Sequence, residues 1–179
     1  MEEQQSTTHL KEILKRYWGF DEFRPPQQEV IQTILEEKDA LVLMPTGGGK
    51  SLIYQLPTLA REGLCIVITP LIALMKDQVD RLRRRGIGAV ALHAGLSPRQ
   101  IDIALDNCVY DHQMKFLYLA PERLSSEALM LRLHKMKVKL IAVDEAHCIS
   151  QWGYDFRPSY LRIAELREYQ PKATVLALT

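Results

Sequence analysis

Residues 44 to 51 read Met-Pro-Thr-Gly-Gly-Gly-Lys-Ser. Three glycines followed by a lysine and a hydroxyl residue are suited to holding phosphate. Without a Cβ, the backbone N–H groups of Gly47, Gly48 and Gly49 can turn towards phosphate oxygens. Lys50 can reach the β- and γ-phosphates of a nucleotide, and the Ser51 hydroxyl can ligate Mg2+. The usual spacing, G-x-x-x-x-G-K-[ST], asks for glycine where this chain has Met44. Met44, Pro45 and Thr46 form the lip of such a loop. The following glycines supply the backbone freedom, so Met44 need not be glycine. Taken alone, these eight residues also fit a glycine-rich β–α turn with a surface lysine.

A second stretch decides between the two. Residues 140–147, LIAVDEAH, are an apolar run ending in two carboxylates. Asp144 can hold Mg2+ through its water shell, and Glu145 can orient or deprotonate an attacking water. The alternative is that the two acids merely cap the next segment, but a strand-end carboxylate pair after such a loop is too specific for that. With both stretches present, the reading is a nucleoside-triphosphate site.

The segment that follows is CISQWGYDFRPSY, residues 148–160. Trp152, Tyr154 and Phe156 alternate beside Arg157, directly after the carboxylates. Flat aromatic faces stack on nucleic-acid bases, worth about 1–3 kcal/mol each, and a guanidinium pairs with phosphate. Ordinary core packing of a Trp and a Phe is the alternative. Arg81, Arg83, Arg84 and Arg85 form a basic cluster that could touch a DNA backbone, but a helix C-terminus, where cations offset the dipole, explains it better. His93 is read as structural.

These groups need a frame to hold them. Apolar runs at 40–44, 64–69, 88–93, 116–120, 139–144 and 173–178 read as strands, most apolar on both faces as in a buried parallel sheet. Helical patterns lie between them, at about 50–60, 71–85, 98–107, 121–135 and 158–169. Two more precede the first strand, at 8–17 and 25–37. Gly19 closes the first and Pro25-Pro26 opens the second. Ser97-Pro98 starts one helix and Gly86 ends another. Such alternation predicts an α/β fold, a mostly parallel sheet with helices on both faces, binding ligands at the carboxyl ends of its strands.

The totals agree. The chain has 179 residues, 47% hydrophobic and 25% charged, which suits one globular domain with a real core. With 23 basic and 22 acidic residues the net charge is +1, so a nucleic-acid site must be a local patch. Cys65, Cys108 and Cys148 are widely spaced, form no C-x-x-C pair, and fit a reducing compartment. No apolar run approaches the roughly 20 residues of a membrane span, and the first residues lack a signal-peptide layout. The expected location is cytoplasmic.

DEAH at 144–147 resembles the second motif of DEAD/DEAH-type helicases, and the aromatic stretch narrows the resemblance to RecQ-family DNA helicases. FDEFRPPQQ (20–28) is similar to that family's adenine-recognition motif and ITPLIALMKDQV (68–79) to its motif Ia. YLAPERL (118–124) resembles another loop along the DNA path, and LALT (176–179) the beginning of motif III.

The resemblance implies a RecA-like P-loop NTPase domain over 39–179, preceded by N-terminal helices with the adenine motif over 1–38. It implies adenine held by Gln27 with Arg24 and Phe20 around the ring. Lys50 and Ser51 would serve phosphate and metal, and Asp144 and Glu145 hydrolysis. His147 would link nucleotide state to DNA, and Trp152, Phe156 and Arg157 would sense single-stranded DNA. Pro26 and Tyr154 depart from the family's usual glycine and histidine. The implied cofactors are ATP and Mg2+. The implied partners are single-stranded and forked DNA and a second RecA-like domain of the same full-length protein, with 3′-to-5′ movement. An RNA helicase of the DEAD/DEAH type and a nucleotide-gated DNA-binding module without turnover are the alternatives.

Overall fold

A computed structural model describes residues 2–45, 47–150 and 156–179. The elements are α1 (Glu2–Trp18), α2 (Gln27–Leu35), β1 (Ala40–Val42), α3 (Leu52–Leu59), β2 (Leu64–Ile68) and α4 (Ile72–Arg84). They continue with β3 (Gly88–Leu92), α5 (Pro98–Tyr110), β4 (Met114–Leu119), α6 (Glu127–Leu133), β5 (Val138–Val143), α7 (Ile163–Tyr169) and β6 (Thr174–Leu178). Short 3-10 turns occupy Pro121–Ser125, Ala146–Ile149 and Pro158–Arg162.

The six strands form one sheet in the order β1-β6-β5-β2-β4-β3, and every described pairing is parallel. Successive side chains of a strand point to opposite faces, and here both faces are covered. Cys65 and Val67 of β2 face a core shared with α1 to α4, while Leu64, Ile66 and Ile68 face one shared with α5 to α7. This is why the strands are apolar at nearly every position.

The helix ends follow local chemistry. Ser97 accepts from the Gln100 N–H and Gln100 returns the bond to the Ser97 N–H, a reciprocal cap with Pro98 in the first turn. At the end of α4, Gly86 takes φ 77°, and its N–H donates to Arg83 O while the Ile87 N–H donates to Leu82 O.

Several boundaries differ from the sequence reading. β1 stops at Val42, because Leu43 to Pro45 already lead into the loop. α1 starts at Glu2, the polar first turns extending a helix whose apolar stripe begins later. The single helix expected over 121–135 is two elements. Ser126 is extended and caps α6 by accepting from the Leu129 N–H, which separates it from the turn begun by Pro121. The helix expected over 158–169 is likewise a turn at Pro158–Arg162 followed by α7. Among the described residues, no helix is long and apolar enough to cross a membrane.

Candidate nucleotide site

Strand order brings the two chemical stretches together. β1 leads to the glycine loop and β5 to Asp144, with β6 between them. Past the end of the sheet the pairing continues: Met44 N–H donates to Thr179 O at 3.0 Å, Thr179 N–H to Val42 O at 3.1 Å, and Asp144 N–H to Ile68 O at 2.9 Å. The loop and the carboxylates therefore occupy carboxyl strand ends on either side of β6, where parallel α/β sheets bind ligands.

Within the loop, Gly47 and Gly49 have φ of 81° and 76°, a region unfavourable to a residue with a Cβ. Gly48 donates its N–H to Pro45 O at 3.1 Å, and a Cβ there would lie 3.2 Å from Met44 Cε. Met44 is only 8% exposed. Its side chain packs into the core beneath the glycines, so the methionine is part of the loop's floor. Thr46 lies outside the described residues. Ser51 is helical at the start of α3 and its side chain makes no capping bond. Its hydroxyl is not spent on the helix.

Asp144 is 8% exposed, and its Oδ1 accepts from the Glu145 N–H at 2.9 Å. Burial raises its pKa above the usual aspartate value; the Glu145 charge adds to this, while the bond from the Glu145 N–H, Lys50 and His147 pull the other way. Lys50 thus acts electrostatically on the buried carboxylate across the gap between strand ends. A buried carboxylate that feels the Lys50 charge, together with a Ser51 hydroxyl that makes no capping bond, fits Mg2+ bound to a nucleotide, since this ion takes few protein oxygens and keeps water and phosphate ligands.

The same burial has a consequence for stability. A carboxyl group whose folded pKa lies above its unfolded one favours folding most at low pH, and that contribution is lost as pH rises through the folded pKa. At neutral pH the ionised Asp144 opposes folding of the metal-free protein. Asp144→Asn, which can still accept from the Glu145 N–H, is expected to stabilise that state by about 1 kcal/mol while removing Mg2+-dependent hydrolysis. Thermal melting without nucleotide checks this; a lowered midpoint would show that the charge is well accommodated.

Glu145 takes the left-handed conformation, φ 53° and ψ 44°. A non-glycine residue held there is unusual, and such positions cluster at functional sites. His147 Nδ1 lies 2.9 Å from Thr179 Oγ1 and 3.4 Å from Glu145 Oε2. The turn after β5 is thereby tied to the end of β6. Sequence reasoning missed Tyr160, fully buried, whose hydroxyl donates to Asp144 O at 2.9 Å. It links the strand end to the last residue of the aromatic stretch. No sequence period marks it; only its place in that stretch is suggestive.

Gln27 is buried at 4% exposure. Its Oε1 accepts from the Arg24 N–H at 2.8 Å and its Nε2 donates to Gly49 O at 3.3 Å. A Cβ on Gly49 would collide with that amide. Gln27 therefore bridges the segment resembling the adenine motif to the glycine loop. Phe20 is 52% exposed and Arg24 is exposed nearby in sequence.

Of the aromatic stretch, Trp152 and Tyr154 lie outside the described residues. Phe156 and Arg157 are partly exposed. Arg157 Nη1 stands 3.6 Å from Glu122 Oε1, joining the stretch to the APER loop. The arginine cluster has structural tasks: Arg81 pairs with Asp77 at 2.9 Å, Arg83 Nε donates to Ala89 O at 2.8 Å, and Arg85 lies 5.5 Å over the Trp18 ring. His93 Nδ1 accepts from the Gly95 N–H at 3.1 Å, shaping its own turn.

The sequence profile of the DEAD/DEAH box helicase family matches residues 24–179. The chain belongs to that family. Among curated members of it, the chain is 49% identical over 161 residues to the ATP-dependent DNA helicase RecQ of Synechocystis sp., covering 88% of this chain and 33% of that protein. It is 43% identical over 173 residues to the probable ATP-dependent DNA helicase RecS of Bacillus subtilis, covering 96% and 34%. With ATP-dependent DNA helicase Q1 of Mus musculus it shares 40% over 176 residues, covering 95% and 27%. Within the DEAD/DEAH family the sequence is thus RecQ-like, and the chain spans about a third of the length of the curated relatives it matches.

The helicase fold has solved counterparts. The crystal structure of DUF1998 helicase MrfA matches with a TM-score of 0.72 at 21% identity, covering 96% of this chain and 29% of that one. The same helicase bound to DNA and AMPPNP matches with a TM-score of 0.78 at 20% identity, covering 96% and 26%. At that identity the likeness is one of fold: a RecA-like helicase domain.

Proposed function

We propose that the protein is an ATP-dependent DNA helicase of the RecQ type, and that this chain is the motor domain that binds Mg2+–ATP and responds to single-stranded DNA. The observation that carries the reading is the placing of the Lys50 loop and the Asp144–Glu145 pair at carboxyl strand ends flanking β6. The names of the relatives support DNA, rather than RNA, as the polymer acted upon.

In this reading the N–H groups of Gly47 to Gly49 and the Lys50 ammonium bind and orient the β- and γ-phosphates. Ser51 and Asp144 hold the metal. A metal held there would supply positive charge against the phosphates. Glu145 takes a proton from the attacking water. Phe20, Arg24 and Gln27 receive the adenine, Gln27 exchanging its bond to Gly49 for the base. Trp152, Phe156 and Arg157 report strand occupancy, with His147 between them and Glu145. A second RecA-like domain of the full-length protein supplies the other grip on the strand and completes the phosphate site. The reading puts the protein in the cytoplasm, with forked DNA as substrate and recombination and repair as its role.

The test is turnover of the full-length protein with and without single-stranded DNA, together with displacement of a strand from a duplex carrying a 3′ tail. Stimulated turnover with ATP-dependent displacement is expected. Nucleotide binding without turnover would favour a gated DNA-binding module instead. Stimulation by RNA alone would point to an RNA helicase.

A further inference from the structure

Behind the glycine loop, the first turn of α3 sends two polar side chains into an otherwise apolar core. Tyr54 is 1% exposed and Gln55 4%. They meet Tyr118 of β4, which is fully buried, and Gln78 of α4. Tyr54 donates its O–H to Gln78 Oε1 at 2.7 Å, and Tyr118 donates to the same oxygen at 2.9 Å. Gln55 Nε2 donates to the Tyr118 oxygen at 2.9 Å. The two rings pack edge to face with centroids 6.5 Å apart.

Each phenol has one proton; the two shorter bonds take both to Gln78 Oε1, and the Tyr118 hydroxyl also lies 3.4 Å from the Tyr54 oxygen. Burial pushes both phenols well above their ordinary pKa, so they remain donors. If these residues only filled space, apolar side chains would do so without the cost of desolvating four polar groups. A hydrogen-bonded polar cluster instead fixes one relative placement of the elements that contribute to it.

Those elements lead to different places. α3 begins at the end of the glycine loop, and Ser51 is within one turn of Tyr54 and Gln55. α4 follows Thr69 to Leu71 in the stretch resembling motif Ia, and its first turn exposes Ile72 and Leu74. β4 runs directly into the APER loop that carries Glu122, the partner of Arg157. A cleft of about 240 Å³ bounded by Ser51, Gln55, Leu74, Gln78 and Arg81 separates α3 from α4 on the solvent side. The two helices are therefore joined at that cleft by the half-buried bond from Tyr54 to Gln78. A shift of α3 on nucleotide binding must carry Gln78 with it or leave a phenol unpaired.

We propose that Tyr54, Gln55, Gln78 and Tyr118 are positioning residues that transmit movement between the glycine loop and the segments resembling DNA-path motifs, so that stimulation of turnover by DNA depends on them. The inference rests on the helicase reading given above.

The test uses the full-length protein with Tyr54→Phe, Tyr118→Phe and the double substitution, which keep both rings and delete the hydroxyls. Basal turnover, turnover at saturating oligo-dT, and the Kd for oligo-dT without nucleotide are measured. In the double variant the ratio of stimulated to basal turnover is expected to fall about fivefold or more, the lower end of ordinary allosteric coupling, with the DNA Kd within about twofold of the parent. A ratio within about twofold of the parent, whatever the melting temperature, would reduce the cluster to core packing and overturn the proposal. So would a rise in Kd that accounts for the whole loss. Should the double variant not fold, Tyr54→Phe alone is read by the same ratio. A parent protein that DNA does not stimulate overturns the helicase reading itself, whereas a stimulated parent with an unaffected variant overturns only this inference.

Discussion

Lys50→Ala is expected to reduce ATP turnover of the full-length protein by at least about 10³-fold and to weaken nucleotide binding. The β- and γ-phosphates present several negative charges at the amino end of α3, and a phosphoryl transfer site works almost entirely by positioning and neutralising them. Backbone N–H groups supply direction and partial charge, but Lys50 supplies a whole positive charge. Loss of one preorganised stabilising group commonly costs 10²–10³-fold elsewhere, and Lys50 also pulls down the pKa of Asp144. Without it, that carboxylate becomes harder to ionise. The helix start should survive, since the Ile53 N–H bonds to the Lys50 backbone oxygen and alanine favours helix. Turnover and nucleotide titration on the same preparation check the prediction. Turnover equal to that of the parent would remove residues 44–51 from the phosphate site.

Glu145→Gln is expected to leave Mg2+–ATP binding in place and to slow hydrolysis by about 10²–10⁴-fold, the usual contribution of a general base. The amide has the same shape and places the same demand on the left-handed backbone at φ 53°, but it cannot accept the proton of the attacking water. Binding should if anything tighten, because the Glu145 charge is one of the influences that raise the pKa of Asp144. Single-turnover hydrolysis, measured beside nucleotide affinity, separates the chemical step from binding. Hydrolysis near the parental rate would show that another group takes the proton. Equal loss of binding would show that Glu145 serves the metal instead.

Much of the site was legible because its motifs are local. The glycines, Lys50 and Ser51 are contiguous, and a positive φ at Gly47 and Gly49 is what a turn from strand to helix requires. Asp144 and Glu145 were legible as acids at the end of an apolar strand. The strands were legible because a sheet covered on both faces leaves no polar side to a strand. The helices over 121–135 and 158–169 were misjudged where a proline-led 3-10 turn precedes a short helix. Apolar spacing alone does not distinguish that arrangement from one continuous helix.

By itself, the sequence determined the parts: a glycine loop ending in Lys-Ser, a carboxylate pair, an alternating α/β chain and the helix ends at Ser97 and Gly86. Each rests on interactions between residues a few positions apart, which spacing and residue type are enough to specify. Only the tertiary structure decided how the parts meet. The order β1-β6-β5 sets Lys50 beside Asp144 and places Thr179 between the loop and His147. Burial turned Met44 into the floor of the loop and drew Gln27 inward onto Gly49. Packing of α3 and α4 on β4 joined Tyr54, Gln55, Gln78 and Tyr118, residues up to 64 positions apart. Contacts at such separations depend on strand order and on which face each helix covers, and no local period in the chain encodes either.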